Sequence, residues 1–396
     1  MDPASLALAA VIWHGSTEVA AGRAERGPWQ QNESRYDYVD DPTVAIDPRG
    51  AVAVAWVDQK RKDVFFLNNG ASVNVSRSPD TFSWLPRMAI DAKGTIFVLW
   101  QEIIFSGGSH GGDMLFARSG DGGNTFSEPL NLSSSAAGDG KGRINPKVWH
   151  NGSYDLVVGE DGTAYVAWTE YEGRLWVRRS RDGGRSFSEK MSVPTEKPAR
   201  APSLAVHGDA VYLAWTVGDD QSADVRVAKS VDSGATFDQP VIVHRSREYS
   251  DSPRLAVDAH GTLHLVYAEG RQIVHSRSND GGATFERPRA VSEGNAGFPA
   301  LGLDANGRLY VLWERFAEHP RLPRGLALAV SRDGGRTFEA GEVPGSAGAG
   351  WNGSSQGLLM RKLAVGKQGA VAIVNSSLKQ NDASRVWLMR GLLNPG

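Results

Sequence analysis

The feature that most constrains this chain is a line that returns seven times. It reads AIDPRGAVAVAWVD from Ala45, AIDAKGTIFVLWQE from Ala89, VVGEDGTAYVAWTE from Val157, AVHGDAVYLAWTV from Ala205, AVDAHGTLHLVYAE from Ala256, GLDANGRLYVLWER from Gly302 and AVGKQGAVAIVNSS from Ala364. Each copy is an apolar strand, a turn with Asp or Gly, and a second strand with period-2 alternation. Glycine permits the positive φ that tight hairpins need, and it stands in every one of these turns. One position of the second strand carries an aromatic ring, from Trp56, Trp100, Trp168 and Trp215 to Tyr267 and Trp313; only the last copy departs, with Asn375.

A second line follows five of these units: SGDGGNTF from Ser119, SRDGGRSF from Ser180, SVDSGATF from Ser230, SNDGGATF from Ser278 and SRDGGRTF from Ser331. A short apolar strand precedes each and another follows, so one unit is four antiparallel strands, A to D. A lone four-stranded sheet leaves apolar faces uncovered, and seven of them at roughly 45–65 residues each must stack around an axis. The expected fold is therefore all-β: a seven-bladed β-propeller of four-stranded antiparallel blades, one domain over 1–396. The blades are expected at about 42–84, 85–134, 146–196, 200–245, 252–293, 298–345 and 359–395. The seventh unit stops after its C strand. The N-terminal strand at about 5–14, with the apolar run Leu6–Trp13, is expected to complete it and remove an open edge.

Composition narrows the function. Apolar residues are 40% and charged residues 22%, enough for a sizeable core. Lys and Arg number 43 against 45 Asp and Glu, a net charge of −2, which excludes a nucleic-acid partner bound by broad phosphate neutralisation. There is no cysteine, so disulfides, thiolate metal sites and a Cys nucleophile are excluded. No apolar run approaches the roughly 20 residues of a membrane helix. The first residues lack the basic region and cleavage site of a signal peptide, and the reading is of an exported protein, periplasmic or secreted, with its leader removed. GDGKG at 138–142 lacks the further acids of a calcium loop, no His pair has zincin spacing, and no glycine loop precedes a helix; neither metal nor cofactor is expected.

The octets resemble the Asp-box, S-x-D-x-G-x-T-F/W, also called the BNR repeat, and over nearly its whole length the chain resembles the sialidase-like propeller superfamily. The first unit keeps only a remnant, SRSPDTFSW from Ser76, and the seventh has none. In that family the boxes lie on the face away from the active site. Asp121, Asp182, Asp232, Asp280 and Asp333 are accordingly read as turn acceptors, as are Asp47, Asp91, Asp258 and Asp304 at the A–B turns. Sialidases add an arginine triad, a Tyr–Glu nucleophile pair and an Asp acid/base, with the first arginine in an F/Y-R-I-P motif. Here the matching region reads RYDYVDDPTVAID, with Asp40-Asp41-Pro42 in its place, and LPRM at 85–88 is an echo one blade late. Sialidases also have six blades. The resemblance thus points past strict sialidases to seven-bladed relatives: polysaccharide lyases and rhamnosidases that use His or Tyr, and Asp-box assembly factors that bind a protein and catalyse nothing.

In propellers the D–A and B–C connections share one face, where the ligand lies at the mouth of the axis. That face is expected to carry Asp40, Asp41, Tyr249 and Asp251 as catalytic groups, and Arg87, His110, His150, Arg200, Arg254 and Trp351 as substrate-binding groups. Arginine binds planar carboxylates bidentately, aromatic faces stack on sugar rings, and a carboxylate pair or a tyrosine can move the proton. Asp58, Glu102, Glu170 and Glu269 form a further ring, each two residues after the core aromatic, for which a solvated row at strand ends is the plainer reading. The expected function is hydrolysis or lyase cleavage of a carbohydrate, acidic sugars favoured. The opposing expectation is a non-catalytic propeller that binds a glycan or a protein partner. The expected state is a monomer.

Overall fold

The structure, a computed structural model, describes residues 10–28, 30, 33–106, 109–133, 143–145, 148–149, 153–170, 173–218, 222–318, 323–347, 360–379 and 381–394. It is a seven-bladed β-propeller. Blade 1 runs through Val39–Ile46, Val52–Asp58, Asp63–Asn68 and Ala71–Asn74, each strand antiparallel to the one before. Blades 2 to 6 repeat the pattern, their A strands being Phe82–Ile90, Tyr154–Val158, Ala199–His207, Ser250–Val257 and Ala296–Leu303. Blade 7 takes Leu363–Val365, Ala370–Lys379 and Ala383–Leu393 from the C-terminal end of the chain and its outer strand, Val11–Gly22, from the N-terminal end. Among the described residues no helix is long and apolar enough to cross a membrane.

The N-terminal strand closes the ring; the described strand, Val11–Gly22, overlaps the expected 5–14 and runs on past it. Val11 pairs with Leu393 and Gly22 with Ser384; Leu6–Ala9 fall outside the described residues. The reason is burial. Only Val11 of this strand is buried, and most of the rest is exposed, so no hydrophobic alternation marks Thr17–Gly22 as strand. Two bulges and Gly15, at φ 94°, break the period further.

The core lies between blades. Each B-strand aromatic faces the preceding blade: Trp100 packs with Ala55 and Val57, Tyr267 with Ala214, Trp313 with Val266. Trp100, Trp168 and Trp215 are fully buried, and a large apolar side chain so placed contributes about 1.5–3 kcal/mol.

The five Ser-x-Asp octets form one turn. In the first, Ser119 Oγ donates to Asp121 Oδ1 (2.7 Å) and accepts from the Gly123 amide (2.8 Å), while the Thr125 hydroxyl donates to Asp121 Oδ2 (2.7 Å). The hydroxyl and amide of Thr125 hold the Asp121 pKa down at about 2. A Cβ on Gly123, at φ 90°, would stand 2.2 Å from the Phe66 ring of blade 1, so the octet docks on the preceding blade through a residue that only glycine can supply. Asp47, Asp91, Asp258 and Asp304 cap A–B turns in the same spirit, each accepting the amides two and four residues on.

Candidate functional site

The mouth is built from the starts of the A strands. Asp41, Leu85, Ala201, Ser252 and Phe298 each precede a proline, and each has φ between 49° and 56°. Each lies within a register shift of its A–B ladder. This repeated β-bulge kinks the inner strand and re-aims the side chains on either side of it. Proline fits because its missing N–H costs the ladder nothing at a bulge.

Asp40 and Asp251 occupy the residue before the bulge in blades 1 and 5, and both are built into it. Asp40 Oδ1 accepts the Asp41 amide (2.7 Å) and the hydroxyl of Ser376 from blade 7 (2.6 Å). Asp251 Oδ1 accepts the Ser252 amide (2.7 Å) and the hydroxyl of Thr216 from blade 4 (3.1 Å). Ser376 and Thr216 are equivalent too, each following the core position of its B strand. The two carboxylates therefore tie neighbouring blades together.

Two residues past the bulge, blades 2 and 5 carry Arg87 and Arg254, and the same place in blades 3 and 7 holds Asp155 and Lys362. Asp155 Oδ2 accepts the Leu204 amide of blade 4 (2.8 Å), and its other oxygen pairs with Arg361. Lys362 pairs with Glu314 of blade 6, both deeply buried. The Arg87 guanidinium lies 5.2 Å from the centre of the Tyr154 ring. Burial lowers the Arg87 pKa. Burial, with Arg87 and Arg361 nearby, lowers that of Arg254 to about 10. Asp41 is 2% exposed, and burial together with the Asp40 charge raises its pKa well above the usual carboxylate range, against the pull of the Leu85 amide, Arg87 and Lys362. Asp41, Arg87 and Arg254 are thus brought into one electrostatic group around Asp155, Arg361 and Lys362.

Arg200 is placed differently. It is 2% exposed in the seam between blades 4 and 5, donating from Nε to Asp251 Oδ1 (3.1 Å), from Nη2 to the Tyr249 hydroxyl oxygen and from Nη1 to the Gly218 carbonyl. Its guanidinium covers the half-buried Tyr249 ring at 5.0 Å, and the Tyr249 hydroxyl donates to Asp251 Oδ2 (3.3 Å). This arginine holds Tyr249 and Asp251 together, and connects to the axial group through Asp251, which lies near Arg254.

In the ring at the B-strand ends, Glu102 and Glu170 hold their own core aromatics, while Asp58 caps its B–C turn by accepting the Lys60 and Arg61 amides. Glu102 accepts the Trp100 indole N–H (2.8 Å) and the Ser83 hydroxyl (2.7 Å), and Glu170 accepts the Trp168 indole (3.1 Å). His110 lies on the strand Ser109–Ser119, but its side chain, like His150 and Trp351, is outside the described residues. Among the described residues no group of three or more His, Asp or Glu could hold a metal. Sequence reasoning missed Asp155, Arg361 and Lys362. Their signal was the repeat itself: Asp155 and Lys362 stand in the register of Arg87 and Arg254, but in the two units that follow connections longer than an ordinary loop, 134–153 and 341–358, where the strand start was hardest to align.

No family model and no curated protein matches the sequence. Solved structures match its fold. An ulvan lyase bound to a glucuronate–rhamnose-3-sulfate chain is similar at 15% identity and a TM-score of 0.57, over 91% of this chain and 95% of the lyase. The intramolecular trans-sialidase of Ruminococcus gnavus is similar at 10% identity and a TM-score of 0.50, over 78% and 94%. YCF48 bound to D1 peptide is similar at 12% identity and a TM-score of 0.51, over 97% and 96%. These likenesses show the fold that the chain shares with them, a β-propeller, here of seven blades.

Proposed function

We propose that the axial mouth binds an acidic carbohydrate and that the chain cleaves it there by lyase or glycoside-hydrolase chemistry. The observation that carries this reading is the gathering of Arg87, Arg254, Arg361 and Lys362 at one end of the axis. Asp155 and Glu314 pair with Arg361 and Lys362, and Asp40 and Asp41 lie beside the group with the Asp41 pKa raised by burial, which leaves Arg87 and Arg254 as the guanidinium groups suited to a substrate carboxylate or sulfate. Arg254, partly exposed, is the member we assign to the ligand; Arg87, 1% exposed, adds positive charge behind it. Tyr249 is the proton-transfer candidate, because Arg200 places a cation beside its oxygen where negative charge develops. Asp40 and Asp251 then serve to hold the bulges, and Asp41 is the remaining acid of the mouth. With such a substrate, we read the protein as an exported one.

A second reading is a non-catalytic propeller that binds a protein segment. The similarity to peptide-bound YCF48 over nearly the whole of both chains favours it. One screen separates the two: uronic-acid polysaccharides, sialosides and rhamnosides, with product mass distinguishing hydrolysis, which adds water, from elimination, which does not. Binding without product assigns a binder; no binding of any acidic glycan overturns the proposal. Within it, Arg254→Ala is expected to weaken acidic-oligosaccharide binding by about tenfold or more, with the melting temperature nearly unchanged. Equal binding by that variant rejects the assignment of Arg254 to the ligand.

A further inference from the structure

The mouth face carries a second concave feature away from the axis. A two-stranded ribbon, Glu25–Arg26 with Tyr36–Asp37, is inserted between the outer strand of blade 7 and the A strand of blade 1. It walls a cleft of about 610 Å³ that Lys60 and Lys62, in the B–C turn of blade 1, also line. Lys60 lines a second cleft as well, of about 440 Å³, between that turn and the connection from blade 1 to blade 2 at Arg77. Sharing Lys60, the two clefts form one trough. All of its lining segments but the start of one strand, at Asp63, and the end of another, at Asn74, are D–A or B–C connections, which places it on the face where the mouth opens.

The trough is cationic in an acidic chain. Arg26, Arg35, Lys60, Arg61, Lys62 and Arg77 line it against four carboxylates, six minus four giving +2, whereas the whole chain carries −2. Lys60 pairs with Asp37 and, beyond the lining, Arg61 with Asp58 and Arg77 with Glu128, surface pairs that hold these cations only weakly and leave them open to exchange. One of those carboxylates, Asp63, is 3% exposed and spent on the Asn74 amide, the Ser76 hydroxyl and the Ser78 amide. Three of the cations rest on aromatic faces: Arg26 at 5.2 Å from the Tyr38 ring centre, Arg61 at 5.1 Å from Phe65 and Lys62 at 5.0 Å from Phe82. A solvated basic surface leaves its long side chains free. Here ring contacts restrict them beforehand, which lowers the ordering cost of meeting an extended anion.

We propose that this trough is a secondary site for an anionic polysaccharide, taking the stretch of chain that runs outward over blade 1 from the mouth. The proposal rests on the reading of the mouth as an acidic-sugar site. A polymer held at both places gains by effective concentration without any stronger single contact. Its signature is a preference for length.

The test measures binding of dimers and ten-mers of galacturonate and of chondroitin sulfate to the full chain. For the Arg35→Glu/Lys60→Glu variant, at two exposed positions, the expected result is a loss of tenfold or more for the ten-mers, a shallower salt dependence and unchanged dimer binding. If this double variant melts early, Arg35→Glu alone is read, with about half the loss on a logarithmic scale. Arg254→Ala is expected to weaken dimer and ten-mer alike. Ten-mer binding equal to wild type in the trough variants overturns the proposal, as does wild-type protein that binds no ten-mer. Poly-glutamate of equal length binding as tightly assigns the trough to acidic peptides and also overturns it. If Arg254→Ala changes nothing while the trough variant loses the ten-mer, the mouth reading fails and the trough remains a glycan site of its own.

Discussion

Asp41 stands in the left-handed region, at φ 49°, with its carboxyl buried beside Asp40. Its pKa in the folded chain is raised above the ordinary 3.8, so the native state binds a proton more tightly than the unfolded chain does. The stabilisation this provides is complete below 3.8 and is lost as pH rises through the folded value. Asparagine tolerates the same backbone region and carries no charge. Asp41→Asn is therefore expected to melt higher than wild type at pH 8, by on the order of 2 °C, with the difference vanishing near pH 4. A lower melting temperature at pH 8 would mean that Arg87 and Lys362 hold the carboxylate ionised. At the same scale, Asp40 and Asp251, two of the four groups expected to be catalytic, each spend one oxygen on a bulge amide and a neighbouring blade's hydroxyl.

At the scale of elements, the Ser-x-Asp turn and its dock on the preceding blade are the repeating joint. Asp280 accepts from the Ser278 hydroxyl (2.7 Å), the Thr284 amide (3.0 Å) and the Thr284 hydroxyl. Asp280→Asn weakens these charge-assisted bonds and is expected to cost about 1–2 kcal/mol, read as a shift in urea midpoint, with the mouth unaffected. A large loss of activity at full stability would contradict the turn assignment. The joint between blades 5 and 6 is unusual. Where blades 1 and 2 present Phe66 and Phe116 to the next octet's glycine, blade 5 presents His275, whose ring a Cβ on Gly335 would approach at 2.1 Å. His275 is buried against His264, with their ring nitrogens 3.2 Å apart, and His264 reaches toward Asp258. Burial first, then the neighbouring His264 and Arg277, lowers the His275 pKa to about 3; burial lowers that of His264 as well. Both rings are neutral in the fold and charge more readily when unfolded. Their stabilisation is complete above the ordinary 6.5 and declines as pH falls from there toward about 3. Unfolding free energy measured from pH 7 to 4 is expected to drop less steeply in His275→Phe than in wild type; an identical slope removes the pair from the acid response.

For the whole molecule, closure is the decisive event. The strand Val11–Gly22 pairs along nearly the full length of Ala383–Leu393, and Val11 joins a cluster with Leu393, Met389 and Tyr310 of blades 7 and 6. Removing residues 1–22 leaves blade 7 with an open edge and uncovers that cluster. Calorimetry of the truncated chain is expected to show a melting temperature lower by on the order of 10 °C, together with concentration-dependent aggregation. Unchanged melting would show that the ring does not depend on its closing strand.

Blade number, strand order and the position of the core aromatics were determined by the sequence alone, because a period-2 pattern repeated seven times around Trp56 and its counterparts has one economical way to bury itself. The octets were legible for the same reason: their chemistry is local, a hydroxyl and a carboxylate satisfying amides within five residues. The closing strand was legible as a necessity but not in its register, since an exposed outer strand such as Thr17–Gly22 carries no burial pattern to read. The mouth was legible in residue types and only partly in membership. The charge of Arg87 acts on both Asp41 and Arg254; Asp155, Arg361 and Lys362 join that group, and Arg200 turns to Tyr249 and Asp251 in the seam. Those choices depend on five bulges and on contacts between residues more than 200 positions apart, such as Arg361 with Asp155. Charge and residue type say what could bind an anion; only the packing of one blade on the next decides which of these groups share a space.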